Sequence, residues 1–195
     1  MKAGLSKSHG FSLVELVVVI AIIGMLTTLA IPNMGRIMDK ARNTTCMNNM
    51  RQIGVAVGLY TADNSGAYPF INNPNAPVYN GGNLPEGVQA QTMVEAFGPY
   101  GITKEFLKCP ADIKGPNNYA KNDTSYEWKP TLDGESVINP KIYGRRGVIS
   151  LQDMIAANPG KKPRRLSLVM DTDSVHAGRK NYLFSDGSVS VRTLR

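Results

Sequence analysis

The feature that most constrains this chain is an uninterrupted apolar run from Phe11 to Ile31, FSLVELVVVIAIIGMLTTLAI. It is 21 residues long and carries one charge, Glu15. At about 1.5 Å rise per residue, a helix of this length spans roughly 30 Å, the thickness of a bilayer's hydrocarbon layer. Residues 1–10 contain Lys2 and Lys7 and no acidic residue. That bias keeps a short N-terminus cytoplasmic and sends the remainder across. The expectation is a single pass of a membrane, with residues 32–195 on the extracytoplasmic side. No other stretch of the 195 residues is continuously apolar, so a polytopic membrane protein is excluded. With 42% hydrophobic and 19% charged residues, the chain as a whole is globular rather than fibrous or disordered.

A secretory signal peptide would share the basic start, the apolar core and the small residues near Thr28 to Ala30 where a peptidase cuts. It would yield an exported, non-polymerising binding protein, and this is the competing reading. The run, however, exceeds the roughly 7–15 residues of such cores. It also contains Glu15, and a carboxylate at mid-bilayer costs about 2.5–3.5 kcal/mol. A charge that costly calls for a partner.

The hexapeptide Gly10-Phe11-Ser12-Leu13-Val14-Glu15 resembles the processing site of type IV prepilins and type II secretion pseudopilins. The resemblance implies that a membrane prepilin peptidase cuts between Gly10 and Phe11 and methylates the new N-terminus, leaving 185 residues (195 − 10). It also implies polymerisation into a pilus-like or pseudopilus fibre, periplasmic or on the cell surface. The partners would be further copies of the chain, related minor pilins and an inner-membrane assembly platform. The physics is consistent with this: an apolar helix leaves lipid only if its surface is buried again, and packing such helices side by side does so. Glu15 would then pair with the Phe11 ammonium of a neighbouring subunit, because a paired buried charge costs far less than an isolated one.

Beyond Pro32 the apolar residues Cys46, Met50, Ile53, Val57 and Tyr60 recur at helical spacing and form one stripe, expected to face a head domain. Pro32 lacks a backbone donor and Gly24 has low helix propensity, so a bend or local unwinding is expected between them. The helix is predicted to run from Phe11 to about Asp63, stopped by Asn64-Ser65-Gly66. Four parts follow: a leader, residues 1–10; a membrane or filament-core helix, 11–31; an amphipathic spine, 32–63; and a head, 64–195. Tyr68 to Gly87 reads as a long loop, Gln91 to Phe97 as a short helix, and Gly115 to Gly147 as mostly irregular, with a turn at Asp133-Gly134 and Trp128 as anchor. Leu166–Asp171, Asn181–Ser185 and Ser188–Arg192 read as strands, the last two joined by a two-residue Asp186-Gly187 turn. The fold class is α+β, a long N-terminal helix packed against a small C-terminal antiparallel sheet. The spacing from His176 through nine residues to Asp186-Gly187 resembles a C-terminal signature of one large prepilin-like family.

The candidate chemistry is sparse. The chain has two cysteines and two histidines, Cys46, Cys109, His9 and His176, so a zinc site made only of Cys and His would need all four and is not expected. In an oxidising compartment Cys46 and Cys109 can form a disulfide; otherwise they are two buried thiols acting as small apolar residues. Asp171, Asp173, His176 and Asp186 fall on neighbouring strands or their loops and could bind a divalent cation, calcium if the carboxylates dominate. The better reading is that Asp186 serves the turn while His176 hydrogen-bonds a backbone carbonyl or carboxylate and fixes the hairpin. His176 with Ser174 and the aspartates does not amount to a catalytic set, and no nucleophile elbow, phosphate loop or metalloprotease helix occurs, so no enzyme is expected. The net charge of +7 is spread along the chain apart from Lys161, Lys162, Arg164 and Arg165. Such a short run is usually a solvated loop, so nucleic acid is not the expected partner.

Overall fold

The computed structural model describes residues 12–72, 84, 86–112, 118–144, 147–157, 159, 165–173, 176 and 178–193. Helix α1 runs Leu13–Asp63 as a single 51-residue element, without a break at Gly24 or Pro32. The local unwinding expected there is absent from the backbone hydrogen-bond pattern: proline removes one donor, and the turns on either side still continue the ladder. By its internal contacts the chain divides after Lys40 into two compact units, Met1–Lys40 and Ala41–Arg195.

In the second unit, α1 presents its predicted stripe to the core: Cys46, Met50, Ile53 and Val57 are buried and Tyr60 packs at the edge. Ala56 and Thr61 join the same face. The chain then forms α2 (Met93–Phe97), α3 (Asn118–Asn122), strand β1 (Tyr126–Trp128), the hairpin of β2 (Lys141–Gly144) and β3 (Gly147–Ser150), α4 (Leu151–Ala156), and strands β4 (Ser167–Asp171), β5 (Arg179–Phe184) and β6 (Val189–Thr193). The main sheet is antiparallel in the order β1-β4-β5-β6. The α+β class follows the sequence reading.

Two details differ from the sequence reading. Helix α2 starts two residues later than the pattern suggested, because Gln91 pairs with Ile71 and Thr92 caps the helix, its hydroxyl accepting from the Glu95 N–H while the Glu95 carboxylate accepts from the Thr92 N–H. The β5–β6 turn has three residues rather than two: the Phe184 N–H donates to the Ser188 carbonyl and the Gly187 N–H to the Phe184 carbonyl. Gly187 has φ +73°, as a type I turn closed by a left-handed glycine requires.

The inner face of the sheet grades from apolar to polar along its strands. Trp128, Val169 and Leu183 lie across from one another at one end, and Tyr126, Asp171 and Asn181 at the other. Helix and sheet come close at Gly54, where an added Cβ would fall 2.9 Å from Leu183 Cδ1. Trp128 is fully buried, its ring 5.8 Å from Phe97 and 6.3 Å from Tyr68, and its indole N–H donates to Asp133 Oδ1 at 2.6 Å. Each such aromatic contact adds about 0.5–1.5 kcal/mol beyond the area it buries.

Candidate functional site

The first unit offers a surface rather than a pocket. Along α1, Leu13, Val14, Leu16, Val17, Val18, Ile20, Ile23, Met25 and Leu26 are all exposed, Leu13 at 78% and Met25 at 71%. An exposed apolar surface this continuous marks a contact with lipid or protein. The two hydroxyls within it are satisfied by the helix itself, Thr27 donating to the Ile23 carbonyl and Thr28 to the Met25 carbonyl, both at 2.7 Å. That arrangement suits an environment without water. Glu15 is exposed in the first turn of the helix, where the partial positive charge of the helix N-terminus favours a carboxylate. Gly10 and Phe11 lie outside the described residues. Among the described residues, no helix is long and apolar enough to cross a membrane.

The second unit carries a buried polar nest beside a covalent link. Cys46 on α1 and Cys109 are joined as a disulfide, with Cα atoms 5.1 Å apart. Its surroundings are tied down: Asn49 Nδ2 donates to the Lys108 carbonyl at 3.1 Å, the Cys109 N–H to Ser125 Oγ at 3.1 Å, and the Ser125 hydroxyl to Asp112 Oδ2 at 2.7 Å. Buried Asp112 also accepts from the N–H groups of Asn118 and Tyr119. His176 Nε2 lies 3.4 Å from Cys109 Sγ and 3.5 Å from Asp171 Oδ2. Burial pushes the Asp171 carboxyl up to about 7, against the lowering effect of the Asn181 N–H that donates to Oδ2 at 2.7 Å. Asn181, fully buried on β5, donates through Nδ2 to Asn43 Oδ1 on α1 at 2.9 Å.

Among the described residues, Asp171, Asp173, His176 and Asp186 do not form one cluster of ligand atoms. Asp171 and His176 meet, but Asp173 faces Asn118 Nδ2 at 3.3 Å and Asp186 sits at the β5–β6 turn. There Asp186 accepts from the Ser188 N–H at 3.0 Å and pairs with Arg165 Nε at 3.3 Å, and the Ser188 hydrogen bonds hold its carboxyl below the usual range. The physical reason is the hairpin: three turn residues carry Asp186 past the strand ends, whereas Asp171 belongs to the buried inner face. Of the basic run, Lys161, Lys162 and Arg164 lie outside the described residues, as does Ser174.

Sequence reasoning missed Asn43, Asp112, Ser125, Asp133 and Asn181. Only Asn181 left a signal, a polar residue at an inward position of an alternating strand, which a buried partner must satisfy. Capping gave the other readable sign, since Thr92 and Glu95 have the spacing of a capping box.

Comparison with known proteins agrees with these features. Residues 5–31 match the prokaryotic N-terminal methylation motif. Type II secretion system core protein G of Escherichia coli (strain K12) is 31% identical over 113 residues, covering 58% of this chain and 70% of that protein. The protein of the same name from Pseudomonas aeruginosa is 37% identical over 63 residues, 32% of this chain and 44% of that one. That from Klebsiella pneumoniae is 30% identical over 90 residues, 43% of this chain and 64% of its own. No solved structure gives a match of comparable strength. With the methylation motif opening the helix, and with 70% of the Escherichia coli protein spanned at 31% identity, the chain belongs to the family of type II secretion system core protein G.

Proposed function

We infer that the protein is a structural subunit of a type II secretion pseudopilus, a fibre subunit rather than an enzyme. In this reading residues 1–10 are a leader removed by a prepilin peptidase, Phe11 is N-methylated, and residues 11–31 hold the subunit in the inner membrane by a single pass, its head on the periplasmic side, until assembly. Copies of the chain and related minor subunits then pack these helices together on an inner-membrane platform. The observation that carries the reading is the exposed apolar flank of α1 that lies within the methylation motif. Removing that flank from lipid is favourable only where another apolar surface replaces it, and neighbouring copies of the same helix supply one.

Glu15 pairs with the Phe11 ammonium of an adjacent subunit as both leave water. Replacing it in Glu15→Val makes the lone helix easier to insert, so processing, membrane residence and head folding are retained. Assembly is lost, because an incoming ammonium buried without its partner costs about 3–5 kcal/mol. Expression of Glu15→Val with the assembly machinery, followed by mass analysis of the N-terminus and recovery of sheared fibres, tests this. A processed protein with no fibres is expected, and a normal fibre yield refutes the pairing.

A further inference from the structure

We propose that reduction of the Cys46–Cys109 bridge uncovers a tetrahedral site for a borderline-soft divalent cation, best matched by zinc. Its ligands are the two thiolates, His176 Nε2 and a carboxylate oxygen of Asp171. The ligand atoms of Cys46, Cys109 and His176 all lie within 4.8 Å of one another, and the two cysteines are fully buried. Asp171 completes the set, 3.5 Å from His176 Nε2. Bonds of about 2.0–2.2 Å to nitrogen and oxygen and about 2.3 Å to sulfur set the edges of such a tetrahedron: about 3.4 Å from nitrogen to oxygen and about 3.5 Å from nitrogen to sulfur. The observed separations are 3.5 Å and 3.4 Å. Two of the six edges of the polyhedron therefore already have their working length, and the other four form as the sulfurs part and the Asp171 carboxylate closes on them.

The donor set selects the ion. Two thiolates and an imidazole suit zinc and exclude calcium, which takes oxygen ligands. Composition argued that a site of Cys and His alone would need all four such residues; the fold gathers three of them and supplies a carboxylate in place of the fourth. The ligands come from separate elements, each held from behind. Cys46 is on α1, the Cys109 N–H is bonded to Ser125, the His176 carbonyl accepts from the Arg179 N–H at 3.2 Å, and Asp171 accepts from the Asn181 N–H. Asp171 Oδ2, the oxygen 3.5 Å from His176 Nε2, already accepts from the Asn181 N–H, while the buried Oδ1 has no hydrogen-bond partner among the described residues, so the carboxylate keeps acceptor capacity to offer a cation. Three negative charges are not tolerated together at this depth without a cation to offset them, so the ligand set assembles on the ion, which leaves one net negative charge.

The redox balance is simple. The disulfide takes two electrons and two protons from a dithiol, which leaves as its own disulfide, and zinc then displaces the two thiol protons. The bridge and the metal are thus alternative staples for the same loop, chosen by redox state.

The test uses the full-length protein in detergent, reduced with a phosphine that leaves as its oxide, stripped of metal and titrated with cobalt and then zinc. One cobalt per chain is expected, with the visible bands of a tetrahedral ion and a thiolate-to-cobalt charge-transfer band, both abolished by zinc. Zinc is expected to raise the thermal midpoint of the reduced protein and leave that of the oxidised protein unchanged. His176→Ala, and separately Asp171→Asn, which keeps the side-chain shape, are expected to weaken zinc binding by more than the roughly 10–100-fold that a residue standing behind a ligand is worth. Near-UV circular dichroism of buried Trp128 follows the fold. If reduction abolishes that signal, zinc must restore it. Failure to restore it, an octahedral cobalt spectrum, equal zinc binding by the oxidised protein, or undiminished affinity in His176→Ala would each overturn the proposal.

Discussion

Replacing both bridge cysteines, Cys46→Ala with Cys109→Ala, measures how far the head depends on one covalent link. The bridged residues are 63 apart in sequence. Closing a loop of that length in the unfolded chain removes about 14 cal/mol/K of entropy, or about 4 kcal/mol at 25 °C. Both side chains are fully buried in the core, so losing their sulfurs adds a smaller packing cost on top. Against the roughly 5–15 kcal/mol that separates folded from unfolded states in ordinary domains, this is a large fraction. For a head of this size it corresponds to a fall in Tm of about 8–16 °C. The assay is equilibrium unfolding in urea with a chelator present, followed by the emission of Trp128, the only tryptophan and a fully buried one. The midpoint should fall and the slope should steepen, because an unbridged chain exposes more surface when it unfolds. An unchanged midpoint would refute the entropy argument and leave the bridge with no energetic role.

Three further outcomes can be checked. Gly10→Val should accumulate as a precursor ten residues longer than the mature chain, since the proposed cut lies directly after Gly10; normal maturation by mass spectrometry would contradict it. Burial raises the Asp133 carboxyl from 3.8 to about 7. Its contribution to stability is therefore complete below about pH 4 and is lost as pH rises through 7, so the stability of Asp133→Asn minus that of wild type should grow across this window, with the Trp128 emission of wild type titrating in parallel; a flat difference would refute the shift. Gly134 holds φ +69°, and a Cβ there would run into the Phe70 ring. Gly134→Ala should accordingly cost about 1–3 kcal/mol in urea titrations, whereas Gly66→Ala, with a similar φ of +77° and open space around it, should cost less.

The parts of the fold that could be read from sequence are those governed by one period and one neighbour. The α1 stripe and strands β4 to β6 show their buried faces as regular spacing, and the methylation motif is a contiguous string. Strand β1 was invisible because Tyr126–Trp128 is three residues long and is a strand only by pairing with β4, more than 40 residues further on. The polar nest is likewise a product of the fold. Cys109 and His176 are 67 residues apart, and Asn43 and Asn181 are 138 apart. No local pattern announces such pairs. Closeness in sequence does not decide which carboxylates converge, since pleat and turn send Asp171 inward to His176 and Asp186 outward to the β5–β6 turn. That Cys46 and Cys109 are joined could only be posed from composition, since it depends on where the segment after α2 returns to the helix.

The link between Cys46 and Cys109 also decides how the head answers a pull. A pull applied along α1 reaches the core near Cys46, where the helix begins to bury its stripe. Tension passing this point divides between side-chain packing and a covalent bond anchored at Cys109. The stretch of chain between them, a sequence separation of 63, cannot be drawn out while the bond holds. At about 3.5 Å per extended residue, that withholds roughly 220 Å of contour length. A head stretched in its oxidised form therefore pays out that much less chain than the same head reduced, and the bond works as a mechanical stop set one turn into the load-bearing part of the helix.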